Sequence, residues 1–121
     1  MQLNEVKFTG VKPVDGYGPG FFRIGGDVFH GAVLSGPAGT VIWGGYDDAS
    51  PLMALAGQID VLLVGTGQEI AHIPATLRRD LEAVGIGVEV MNSPAACRTF
   101  NVLLAEGRRI ALAAIPVQGD G

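Results

Sequence analysis

The chain's one cysteine lies in "NSPAACRTFN", Asn92 to Asn101, with Ser93, Arg98 and Thr99 beside it. These are groups that could do chemistry. A thiol near a helix start can ionise more readily, and the N–H groups of such a start, helped by Arg98 or Thr99, could hold an anion. A second polar corner is "GTGQE", Gly65 to Glu69, which resembles a fragment of a phosphate-cradling loop. It lacks both the third glycine of a dinucleotide fingerprint and the Lys-Ser or Lys-Thr of a P-loop, so a tight turn accounts for Gly65 and Gly67 as well.

Each of these groups also has a plainer reading. A nucleophilic cysteine wants a base, and only His30 and His72 exist, with no pattern that brings either to Cys97; a buried structural thiol is expected. Two histidines and one cysteine have no metal-ligand spacing, so neither a zinc site nor any other cofactor is expected. Asp47, Asp48 and Glu69 read as solvated loop acids, and Arg78, Arg79, Asp80 and Glu82 as the wet face of a helix. No residue is assigned a catalytic role.

The elements that must position the two corners can be read from the chain. From Gly16 to Gly45, short β-prone runs, "FFRI", "DVFHGAVL" and "TVIWGG", are separated by glycine turns, the pattern of an antiparallel meander. "DVFHGAVL" has no clean polar face, which predicts a strand covered on both sides or bent at Gly31. After the connector "YDDASP", "IDVLLVG" reads as a buried parallel strand. "PATLRRDLEAVG" is a helix with Pro74 in its first turn, Leu77, Leu81 and Val84 at helical spacing, and Gly85 as its stop. "GVEVM" is a strand, "SPAACRTFNVLLAEG" a helix with Ser93 as N-cap, and "RRIALAAIP" a closing strand.

Residues 1–121 therefore read as one α/β domain of three layers, β/β/α. Residues 1–46 are mostly antiparallel β and 59–117 form a βαβαβ unit within a mixed central sheet. Right-handed crossovers are expected to set the helices on one face, with the glycine-rich half covering the other face or extending the sheet. Ligands of such sheets sit beyond the carboxyl ends of parallel strands, where both polar corners fall.

Composition bounds the function. A chain of 121 residues hides roughly two thirds of its unfolded surface and needs neither metal nor disulfide. Hydrophobic residues at 48% against 17% charged predict apolar surface covered by another chain, a partner or a second copy. A net charge of −4 with scattered Lys and Arg argues against nucleic acid. The N-terminus shows no export or transit pattern, and the apolar runs fall well short of the roughly 20 residues of a membrane helix, so a cytoplasmic protein that is not integral to a membrane is expected.

The residues "VGTG" at 64–67, Pro74 with Leu77 and Leu81, "GIGVEVM" at 85–91, "ACRTFN" at 96–101 and "EGRRIALAAIP" at 106–116 carry a family resemblance. They resemble a small family of unknown biochemical activity from archaea and bacteria, whose mitochondrial relatives include assembly factor three of respiratory complex I. "FRIGGDVFHGAVL" and "VIWG" are similar to the family's first half. The resemblance implies a compact three-layer α/β fold and help in building the respiratory NADH dehydrogenase through protein contacts. Its partners would be respiratory subunits or another assembly factor. By position it carries over a candidate surface of Gly65, Thr66, Gly67, Ser93, Arg98, Thr99 and Asn101. A start almost at the fold points to a prokaryotic cytoplasm.

Two functions fit this chain. The first is a non-enzymatic assembly factor or adaptor. The second is a binding protein or enzyme that takes a small anionic ligand in the cleft between Gly65–Gly67 and Ser93–Thr99.

Overall fold

A computed structural model describes residues 11–118; the N-terminal stretch that bears on export lies outside them. The chain forms the expected α/β domain, with an antiparallel N-terminal sheet and a mixed central sheet. Strands β1 (Val14–Gly18), β2 (Phe21–Ile24) and β3 (Asp27–His30) make a three-stranded antiparallel sheet. Gly31, at φ +115°, then turns the chain into a different sheet, so "DVFHGAVL" is two strands and the bend expected there is a corner.

The hairpin of β4 (Val33–Gly36) and β5 (Gly39–Ile42) opens the central sheet. A four-residue helix α1 (Ser50–Met53) begins at the end of the connector, with Pro51 in its first turn. Then come β6 (Val61–Thr66), α2 (Ala75–Ala83), β7 (Gly87–Met91), α3 (Ser93–Ala105) and β8 (Ile110–Ile115). The sheet runs β5-β4-β8-β6-β7; β6 is parallel to both β7 and β8, and β8 is antiparallel to β4.

The two crossovers run in opposite directions, from β6 out to the edge strand β7 and from β7 back past β6 to β8. With one hand of crossover, reversal of direction reverses the face. The helices therefore do not share a face, which corrects the expectation. Leu77 and Leu81 of α2, with Leu52 of α1, pack on Leu62, Val64, Ala111 and Ala113. Ala96, Cys97 and Phe100 of α3, with Phe22 and Ile24 of the small sheet, pack on Leu63, Leu112 and Ala114. The alternation of inward side chains along β6 and β8 sends each set to its own layer.

Helix ends obey their residues. Gly85, at φ +88°, stops α2, and the Ile86 N–H turns back to the Leu81 carbonyl at 3.0 Å while Ile86 buries itself. Val84, the third member of the expected apolar stripe, is instead 38% exposed.

Candidate functional site

Because α2 and α3 leave neighbouring strands toward opposite faces, the rim beyond the carboxyl ends of β6 and β7 is a topological switch point, the usual place for a crevice. Both polar corners meet there. The Ser93 N–H donates to the Gly67 carbonyl at 2.7 Å, and the Gly67 N–H donates to Ser93 Oγ at 2.8 Å. Ser93 Oγ in turn donates to the Ile115 carbonyl at 2.5 Å, so one buried hydroxyl ties together the ends of β6, β8 and α3.

Ser93 is not the N-cap. Asn92 holds that position, and its Oδ1 accepts from the Ala95 N–H at 2.8 Å; Ser93 and Pro94 are the first two helical residues. Asn and Ser cap about equally well, and Pro94 fits the second helical position as readily as the first. The first-turn N–H groups are thus occupied: Ser93 by Gly67, Ala95 by the Asn92 side chain and Ala96 by the Asn92 carbonyl, while Pro94 has none.

Gly65 is demanded by packing. A Cβ there would lie 2.7 Å from Ser93 Oγ and 2.9 Å from its Cα, because the first turn of α3 rests on this point of β6. Gly67, at φ +99°, makes the turn itself. Thr66 shapes the loop beyond that turn: its Oγ1 donates to the Glu69 carbonyl at 2.7 Å and accepts from the Ala71 N–H at 3.1 Å.

The remaining candidates point elsewhere. Asn101 faces the small sheet, where its amide grips Val14 twice, accepting from the N–H and donating to the carbonyl at 2.8 Å each. Arg98 is exposed and Thr99 half-buried on α3. Cys97 is buried, and burial pushes its thiol up to about 12 despite the nearby Arg98 charge. Asp48 organises its loop, its carboxylate accepting the Gly44 N–H at 3.0 Å. Among the described residues no three His, Cys, Asp or Glu side chains gather as metal ligands.

Sequence reading passed over the segment just beyond the glycines. Ile70, Ala71, His72 and Ile73, with Arg78 of α2 and Val90 of β7, line a hollow of about 310 Å³ on the α2 side of the rim. Ile70 is 65% exposed. Two isoleucines in a loop ahead of Pro74 were the available signal. Arg78 donates to the Val88 carbonyl at 3.2 Å and lies 3.6 Å from Glu82, which holds its guanidinium at the wall of the hollow.

Solved structures share this architecture. A Bartonella henselae protein described as an outer membrane protein superposes with a TM-score of 0.83 at 37% identity, covering 93% of this chain and 100% of that one. A Bordetella pertussis protein described as a Mth938-like domain gives 0.74 at 32%, covering 100% and 95%. The fold is that of a Mth938-like α/β domain.

The chain belongs to the DUF498/DUF598 family, described as proteins of unknown function, whose profile matches residues 14–115. An uncharacterized protein of Rhodobacter capsulatus is 49% identical over 98% of this chain and 96% of its own. NADH dehydrogenase [ubiquinone] 1 alpha subcomplex assembly factor 3 is 36% identical in Danio rerio over 83% of this chain, and 33% in Homo sapiens over 88%. The chain spans 62% and 61% of the length of those two relatives. No described helix is long and apolar enough to cross a membrane.

Proposed function

We propose that this protein is a non-enzymatic assembly factor or adaptor, working in the cytoplasm by protein contact, with respiratory NADH dehydrogenase subunits or a second assembly factor as partner. Its similarity to the animal assembly factor 3 proteins over most of its length supports the role. The observation that carries the contact surface is Ile70, an isoleucine held out in solvent beside the apolar-walled hollow at the switch-point rim. A large apolar side chain so placed is stabilised when another protein covers it. Thr66, Gly67 and Ser93 act behind that surface, since their hydrogen bonds set the course of the loop, and Gly65 leaves room for the first turn of α3.

Affinity capture from the native cell tests this reading, with the wild type compared with Ile70→Asp. The expected result is recovery of NADH dehydrogenase subunits by the wild type and their loss in the variant. A wild-type capture without respiratory subunits removes that client, and equal recovery by both removes the surface.

One observation favours a second reading, a small anionic ligand: Arg78 and His72 stand on the wall of the same hollow. A co-purifying anion that is lost in Arg78→Ala would establish it.

A further inference from the structure

Among the described residues β5 and β7 are the two edge strands of the central sheet, and the chain treats them differently. At β7 the Arg78 guanidinium already caps the Val88 carbonyl, and Glu89 stands exposed on the strand. Charges of this kind keep other strands away. The β5 strand itself carries no such guard: no Asp, Glu, Lys, Arg or His occurs from Gly31 to Tyr46, and the nearby Lys12 and Asp27, which line a hollow with Gly39 and Thr40, are of opposite sign. Val41 and Ile42, 53% and 56% exposed, project to opposite faces of that edge.

The direction of the free backbone groups can be deduced from the ladder. The Trp43 N–H donates to the Ala32 carbonyl at 2.8 Å, and antiparallel pairs alternate between bonded and non-bonded. Counting back through the register, Leu34 with Val41 and Gly36 with Gly39 are bonded pairs, whereas Val33 with Ile42 and Ser35 with Thr40 are not. The N–H and C=O groups of Thr40 and Ile42 therefore face away from the sheet. Two outward residues separated by one inward residue form a self-complementary edge.

We infer that β5 is a homodimer edge: a second copy of this chain pairs antiparallel to it, Thr40 opposite Ile42 of the second copy, with Val41 on the two-fold axis. Four backbone hydrogen bonds form, and no like charges from the 31–46 segment meet across the axis, as they would along a charged edge. Beside Val41 lies a second hollow, about 260 Å³, walled by Leu34, Pro51, Ala54 and Leu55. Pairing brings the two copies' hollows to either side of the axis and shields their apolar walls from water. This surface is separate from the Ile70 loop and does not depend on it.

Light scattering and sedimentation of the purified chain provide the test. The wild type is expected at twice the chain mass. Val41→Lys, which sets two ammonium groups opposite one another, is expected at the single-chain mass with an unchanged circular dichroism spectrum. Val41 pairs with its own counterpart at a non-bonded position, where Cα atoms stand about 4.5 Å apart, within disulfide range. Val41→Cys should therefore form a covalent dimer under mild oxidation, joined through residue 41 of both copies. A wild type at single-chain mass up to its solubility limit overturns the inference, including one that binds a foreign extended peptide at β5 instead. So does a doubled mass that survives in Val41→Lys, or a Val41→Cys chain that stays unlinked.

Discussion

Ser93 and Gly67 hold each other by two hydrogen bonds, N–H to carbonyl at 2.7 Å and hydroxyl to N–H at 2.8 Å, across 26 residues of chain. The pair ties the turn after β6 to the first turn of α3 at the switch-point rim. It also converts the carboxyl rim into a platform from which the Ile70–Ile73 loop projects.

Removing the Ser93 hydroxyl leaves the Gly67 N–H and the Ile115 carbonyl without this partner in a buried setting. Ser93→Ala is expected to lower stability by about 1–3 kcal/mol, the usual cost of stranding a buried polar group. Urea unfolding measures it; a midpoint equal to the wild type's would show that water serves both groups.

Gly65→Ala inserts a methyl within 3 Å of Ser93. Overpacking of this kind costs about 1–3 kcal/mol. Because α3 must lift from β6 to make room, faster hydrogen exchange at the Gly67 and Ser93 amides is expected alongside the loss. Exchange rates unchanged from the wild type would contradict that displacement.

Asn101 is the polar clasp between α3 and β1, joining two residues 87 positions apart. Asn101→Ala is expected to cost about 1–3 kcal/mol and to speed exchange at the Val14 amide before amides in β6 or β8 respond. Arg98→Ala, by contrast, truncates an exposed side chain and should leave the unfolding midpoint within about 0.5 kcal/mol of wild type.

The Cys97 thiol is held protonated by burial, with its pKa raised to about 12 from an ordinary value of 9.0. Its preference for the folded state is fully present below the unfolded value. It is lost as pH rises through that interval, because the unfolded chain ionises first. Thiol reagents should label the native protein slowly at pH 8 and rapidly once urea unfolds it. Rapid native labelling would mean that α3 opens far more often than its packing implies.

Asp60 and Arg109 form an exposed ion pair at 2.9 Å, and the Arg109 side chain holds the Asp60 carboxyl below its ordinary value. The associated stability is present above the unfolded carboxylate's pKa and is lost as pH falls through the lower, folded one. Salt should screen it, so the acid-side dependence of Asp60→Asn and wild type is expected to converge at high ionic strength. Curves that remain apart in salt would indicate a contact beyond simple charge attraction.

Much of the fold was legible in the chain because local chemistry decides local structure. The apolar run at Val61–Thr66, the helix closed by Gly85 and the strand "GVEVM" each carry their own pattern of apolar residues and stops. Helix α1 was hidden because four residues are too few to show a period. The division of work between Asn92 and Ser93 was hidden because either could cap; only the arrival of Gly67 and Ile115 at Ser93 Oγ separates them.

By itself the sequence determined most of the strands, the two longer helices and most of the side chains they bury, since periodicity and turn residues act within a few positions. The tertiary structure alone decided that β7 lies at the edge, that α2 and α3 therefore take opposite faces, that Asn101 turns to Val14, and that Ile70 is left in water. Those outcomes depend on which strand lies beside which, a matter of non-local pairing and packing that no single segment's pattern encodes.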